Sequence, residues 1–314
     1  MFNSSFAREM TDYLELRTAV LSASSASNDR RVLLLLDQYL VLSGFQGKEL
    51  TEDILSAWSK TLSGKSKTVK EKLAVVRGFG KYLNTLGHQS FLPTLPKVKS
   101  DYIPYIFSDE EIVSIFHYAD NLTPQNPRSC SSFFQLKIPM ALRILYSCGT
   151  RLQETMSLQR KDVDFKNRTL FLKKTKFSKE RVIPVHESLI AVMERYCLTL
   201  GIMHEPEAFL FPGRKEGSHY TTRQMDSWFS EILKLADIDQ RERDCHERGA
   251  CLHCFRHLFV LKSMQQLEAA GHPVDMNDLL LPTYLGHECL LDTDKYMRLS
   301  LIHISEPTRL RCIS

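Results

Sequence analysis

Apolar residues recur mostly at three- and four-residue steps over Val69, Leu73, Val76, Leu83 and Leu86, the period of one buried helix face. Ser66 stands before this run and Gly87 after it, so the pattern predicts a helix that starts at Ser66 and stops at Gly87. Two helices are expected upstream. One is capped by Asn28 or Asp29 and runs through Leu42; the other is opened by Thr51 with Glu52 and Asp53 and runs through Leu62. Downstream, Ser108-Asp109-Glu110-Glu111 caps an amphipathic helix through Tyr118. The largely apolar run Ile138 to Leu145 reads as a helix that Gly149 ends in a left-handed conformation, after which Thr150 with Gln153 reads as a capping box for the next. A further helix covers the periodic stretch after His253, and Asp275 and Asp278 mark the start of another that Gly286 stops.

The period switches to two in only one region. Val163-Asp164-Phe165 and Thr169-Leu170-Phe171-Leu172 flank Asn167-Arg168, a strand-turn-strand signature, and Arg181-Val182-Ile183-Pro184-Val185 reads as a third strand. Between His88 and Ile106 stand Pro93, Pro96 and Pro104, too many for a regular helix. The expected organisation is therefore a helical domain over 1–90, a linker over 91–106 and a second domain over 107–298. The fold class is mainly α with a small antiparallel β-sheet. No internal repeat is evident.

Composition is ordinary for a globular chain, with 43% hydrophobic and 25% charged residues, and a net charge of +4 is too small to imply nucleic acid by itself. Its distribution says more: from Thr51 to Ser100 nine Lys or Arg stand against three Asp or Glu. Lys67, Lys70, Arg77 and Lys81 form a polar stripe on the helix from Ser66, and with Lys65 they make a candidate surface for a nucleic-acid backbone. Such a stripe is also what any solvated helix face looks like. The longest apolar run, Val32 to Leu42 with Asp37 inside it, is too short to span a membrane. The eight irregularly spaced cysteines fit reduced thiols and a cytoplasmic setting.

The candidate chemistry lies in the second half. Arg151, Lys176, His253, Arg256, His287 and Tyr296 together supply two guanidiniums, an ammonium, two imidazoles and a phenol. That is a set able to hold one phosphodiester and attack it covalently without a metal. Arg151 is expected in the first turn of a helix, where N–H groups and the dipole favour an anion. His253 and Arg256, three apart, are expected on one helix face.

These residues stand in Gly149-Thr150-Arg151-Leu152-Gln153-Glu154, in His253-Cys254-Phe255-Arg256 and in Leu285-Gly286-His287, with Tyr296 nine residues after the last histidine. The pattern G-x-R-x-x-E, a hairpin lysine, H-x-x-R and L-G-H followed by tyrosine resembles the tyrosine recombinases, or phage-type integrases, over about residues 105 to 298. In that family the lysine lies in K-x-x-K-E-R, which Lys176 to Arg181 match. Lys176 is the first choice, with Lys174 or Lys179 as alternatives.

The resemblance implies a helical, SAM-like core-binding domain followed by an α+β catalytic domain. It implies site-specific DNA recombination by an enzyme of a mobile element, with Tyr296 as nucleophile forming a 3′-phosphotyrosine link. It also implies Arg151 and Arg256 as the phosphate clamp, Lys176 as the acid for the leaving 5′ oxygen, His253 and His287 in proton transfer, and Glu154 orienting Arg151 or a neighbour. No cofactor is expected, and the implied partner is double-stranded DNA bound by a homotetramer. Two rivals stand beside this reading: a relaxing enzyme like the type IB topoisomerases, which shares the covalent chemistry but does not exchange partners, and a catalytically silent DNA-binding regulator that keeps the fold.

Two segments stand apart. Cys245, His246, Cys251 and Cys254 suggest a zinc site, against which stands the lack of a second C-x-x-C. Residues 299–314 resemble the translation of a sequencing adapter and are expected to be a non-native tail, which would impair assembly of the tetramer.

Overall fold

A computed structural model of the chain describes residues 2–98, 104–123, 133–173, 180–238, 249–271 and 280–286. The fold is mainly helical with one three-stranded antiparallel sheet, as the periodicities predict. The chain divides into two compact units, Met1–Asp101 and Tyr102–Ser314.

The first unit contains helices α1 (Ala7–Val20), α2 (Ala23–Leu42), α3 (Glu52–Thr61) and α4 (Ser66–Thr85). The last two begin where the sequence predicts: the Thr51 side chain caps α3, and Gly87 follows α4 with φ +93°. Helix α1 lies outside the sequence reading, and α2 starts earlier than expected. Ser22 caps it, while Asp29 is buried within it and accepts a hydrogen bond from Arg17 Nε at 2.9 Å. A carboxylate can occupy such a buried helical position only with a cation beside it, and that cation comes from α1. Phe6, Met10, Val32, Leu36, Leu40, Leu55, Trp58, Val76 and Phe79 fill the core between the four helices.

Residues 90–93 are fastened to this unit. Phe91 N–H donates to the Leu50 carbonyl at 2.7 Å, and Ser90 and Asn84 bond to each other twice. Arg77 Nη1 donates to the Pro93 carbonyl at 2.7 Å.

In the second unit, helix α5 (Asp109–Asp120) opens with a complete capping box between Ser108 and Glu111. Helix α6 (Phe134–Cys148) is buried on nearly every side and forms the centre of the core. The other helices among the described residues are α7 (Leu152–Met156), α8 (Glu187–Thr199), α9 (Thr222–Leu235), α10 (His253–Ala269) and α11 (Leu280–Leu285).

The sheet runs β1 (Val163–Asp164), β2 (Thr169–Leu172), β3 (Arg181–Pro184), with Leu170 opposite Ile183 and Leu172 opposite Arg181. Asn167 closes the first turn by donating from both its backbone and side-chain nitrogens to Asp164, and Arg168 takes a left-handed φ of +55°. Val163, Leu170, Leu172 and Ile183 face the core.

Candidate active site

The site begins at the end of α6. Gly149 has φ +57°, and a Cβ placed there would lie 2.5 Å from the Phe259 ring of α10. Glycine is required on both counts: it takes the left-handed turn without strain, and it lets α10 pass close to the chain just before Arg151.

The next helix opens differently from the expected Thr150–Gln153 box. Thr150 is buried and shares a hydrogen bond of 2.7 Å with Thr155, and the N-cap is Arg151 itself. Its backbone N–H donates to Glu154 Oε2 at 3.0 Å and its Nη1 to Glu154 Oε1 at 2.8 Å. The carboxylate wins this competition because it accepts a charge-assisted bond as well as the backbone one. Since α7 has only five residues, its dipole is small. The anion affinity expected of a helix start falls instead to the guanidiniums.

Arg256 binds the distant segments together. It is 2% exposed, and it donates from Nη1 to the Gly149 carbonyl and from Nη2 to the Leu285 carbonyl, each at 2.8 Å. One guanidinium from H-x-x-R thus connects G-x-R with L-G-H. His253, the first residue of α10, is exposed, and its ring meets that of His257 edge-on at 4.8 Å. Burial, with the neighbouring His253 and Arg256, lowers the His257 pKa to about 3, so this ring stays neutral.

Arg181 is a site residue that the sequence reading did not single out. Its fork meets Glu154, with Nη1 to Oε1 at 3.1 Å and Nη2 to Oε2 at 2.8 Å, while Nε donates to the Tyr284 carbonyl at 2.8 Å. The only signal for it is its place at the end of K-x-x-K-E-R. Burial pushes the Glu154 pKa up, but the Arg181 fork and charge and the Arg151 bonds outweigh it, and the carboxyl is held below its usual range. Arg151 and Arg181 share the Glu154 carboxylate, which leaves one positive charge over, and Arg256 adds its own where it holds the Gly149 carbonyl, an arrangement suited to an anion.

Tyr284 stacks on Phe259 with ring centroids 5.4 Å apart and donates to the Cys148 carbonyl at 3.2 Å. Gly286, with φ +65°, ends α11 where the sequence predicts. Arg151 Nη2 reaches the Gly286 carbonyl at 3.5 Å.

Lys176, with its alternatives Lys174 and Lys179, His287 and Tyr296 lie outside the described residues, as do Asp275, Asp278, Cys245 and His246. The Sγ atoms of Cys251 and Cys254 stand 3.5 Å apart. Among the described residues no group of three or more His, Cys, Asp or Glu gathers as a metal site requires. No described helix is long and apolar enough to cross a membrane.

On the first unit, Lys65, Lys67 and Lys81 are exposed, and Lys70 and Arg77 half-buried. At 3.6 residues per turn, Lys67, Lys70, Arg77 and Lys81 fall within about 80° of one another on α4. Arg77 spends one donor on Pro93, so its contribution to a phosphate surface is partial.

The Phage integrase family model matches residues 106–300. Tyrosine recombinase XerC of Oceanobacillus iheyensis is 25% identical over 277 residues, 82% of this chain and 78% of its own. Tyrosine recombinase XerD of Rickettsia bellii is 24% identical over 317 residues, 95% of this chain and 96% of its own. The fold is similar to that of the XerH site-specific recombinase bound to palindromic difH substrate in a post-cleavage complex. That likeness has a TM-score of 0.68 at 19% identity, over 90% of this chain and 78% of that one.

Proposed function

The chain belongs to the phage integrase family and is a tyrosine-type site-specific recombinase, and we propose that it cleaves and rejoins double-stranded DNA through a 3′-phosphotyrosine intermediate at Tyr296. The observation that carries this reading is the Arg256 guanidinium, which joins the carbonyl of Gly149, 107 residues away, to that of Leu285. Three motifs dispersed in sequence thereby meet around one cationic spot.

The chemistry follows from charge. A phenol titrates near about 10 in water and is a poor nucleophile at neutral pH. Guanidiniums around the scissile phosphate favour the phenolate and stabilise the added negative charge of the five-coordinate transition state. In this scheme Arg151 and Arg256 hold the phosphate oxygens and Tyr296 attacks the phosphorus. The 5′ oxygen leaves with a proton from Lys176, while His253 and His287 assist proton transfer. The reverse step uses a partner strand's 5′-hydroxyl. One phosphoester replaces another, so the exchange is close to neutral in energy, and side-chain cations do the work a metal would do.

In the same reading Lys65, Lys67, Lys70, Arg77 and Lys81 contact the DNA backbone. Four copies assemble on a pair of sites, and the enzyme works in the cytoplasm.

The test uses duplexes built from repeated sequences that flank the gene, nicked beside the cleavage position. The full chain is expected to form a denaturant-resistant protein–DNA adduct that Tyr296→Phe abolishes. Binding with no adduct refutes the scheme and favours the silent regulator. Relaxation of supercoils without exchange between two sites favours the topoisomerase-like activity.

A further inference from the structure

We infer that Arg181 is a positioning residue of the phosphate-holding site, sharing the Glu154 carboxylate with Arg151 and tying the Tyr284 carbonyl to β3 so that Arg151 keeps its place and its charge. The inference rests on the role proposed above for Arg151.

Glu154 is almost fully buried, with its side chain 4% exposed. A carboxylate offers about four lone-pair directions, and four N–H donors use them. Oε1 accepts from Arg151 Nη1 and Arg181 Nη1, and Oε2 from the Arg151 backbone and Arg181 Nη2. With one guanidinium on it, Glu154 would neutralise Arg151. With two, it orients both and leaves one positive charge over. Removing Arg181 would vacate half of the acceptor sites, and the second terminal nitrogen of Arg151 would then turn onto Glu154 and away from a phosphate.

The second contact reaches the other side of the site. Arg181 Nε holds the Tyr284 carbonyl, next to the Leu285 carbonyl that Arg256 holds. A Cβ on Gly286 would lie 3.1 Å from Arg181 Nη1, so glycine there lets the chain before His287 pass against the guanidinium. Arg181 also opens β3, directly after the segment containing Lys176. One side chain therefore links the hairpin, the G-x-R-x-x-E motif and L-G-H. Lysine cannot replace it, because the contact with Glu154 needs a planar fork and a third donor in its plane.

The test measures single-turnover adduct formation on the nicked duplex, with DNA affinity and melting temperature recorded for each variant. Arg181→Gln is expected to slow cleavage on the order of 10²-fold, the cost of a small misplacement of a reacting group, with little change in DNA affinity. Arg181→Lys, which keeps the charge and packs more conservatively, is expected to be slowed less than Arg181→Gln but clearly below wild type. In a Glu154→Gln background, Arg181→Gln is expected to add much less than it costs alone, because the contact with Glu154 is already changed and only the bond to the Tyr284 carbonyl remains to be lost.

Cleavage by Arg181→Lys at the wild-type rate would overturn the fork argument. Losses from Arg181→Gln and Glu154→Gln that multiply would overturn the route through Glu154. A wild-type chain that forms no adduct refutes the proposed function itself, and the inference falls with it.

Discussion

Gly149→Ala separates two costs that the structure makes visible at one residue. The first is backbone: φ is +57°, and an L-residue in the left-handed region loses about 1–2 kcal/mol. The second is collision, since the new methyl would stand 2.5 Å from Phe259 Cδ1, 2.7 Å from Cγ and 3.2 Å from Cβ. Atoms so near the Phe259 backbone cannot swing aside cheaply, and forced overpacking costs about 1–3 kcal/mol. The sum is about 2–5 kcal/mol, measurable as a shift of the urea midpoint at constant m.

Gly201 provides the control. Its φ is +71° and nothing lies within 4 Å of its would-be Cβ, so Gly201→Ala carries the backbone cost alone, about 1–2 kcal/mol. In a Phe259→Ala background, which removes the two nearest ring atoms and leaves only the Cβ at 3.2 Å, Gly149→Ala should fall toward the backbone cost, leaving a coupling of up to about 1–3 kcal/mol between the two sites. Equal costs of Gly149→Ala with and without the phenyl ring would refute the packing argument. The consequence also extends to function. Phe259 stacks on Tyr284, whose carbonyl Arg181 holds, so Gly149→Ala should slow adduct formation more than Gly201→Ala does.

Three other outcomes are expected. The His257 pKa falls from 6.5 to about 3 on folding, so its contribution is complete above pH 6.5 and is lost as pH falls toward 3, at up to about 1.4 kcal/mol per pH unit; urea titrations of wild type and His257→Leu at pH 7, 6 and 5 should show a shallower decline in the variant, and parallel declines would disprove the assignment. Glu154→Gln leaves two guanidiniums around a neutral amide and should cost about 3–5 kcal/mol, so an unchanged unfolding midpoint would mean that the buried clasp contributes nothing. Replacing Lys67, Lys70 and Lys81 together by Ala should weaken binding to all DNA sequences alike and reduce the salt slope by about 0.9 for each phosphate no longer neutralised; an unchanged slope removes α4 from the binding surface.

Local rules were enough for most of the framework. The Ser108 capping box, the Thr51 cap, the Asp164–Arg168 turn and the glycines after α4, α6 and α11 each depend on residues within a few positions of one another. That is the range over which side chains compete for free backbone groups. Motif order likewise made the family recognisable ahead of the fold, because residue types and gaps are properties of the chain alone.

Tertiary structure decided what depends on partners far along the chain. Asp29 has the residue type of a helix cap, yet it lies inside α2 because Arg17 of another helix neutralises it there. Arg151 displaces Thr150 as the cap because Glu154, pinned by Arg181 27 residues later, is already turned toward it. By local pattern Arg181 is the first residue of a strand, and Arg256 one member of a helix face shared with His253. Their bonds to Tyr284 and to Gly149 exist only once β3, α6, α10 and α11 pack together. A buried guanidinium must find acceptors wherever the fold brings them, and no local pattern records where those will be.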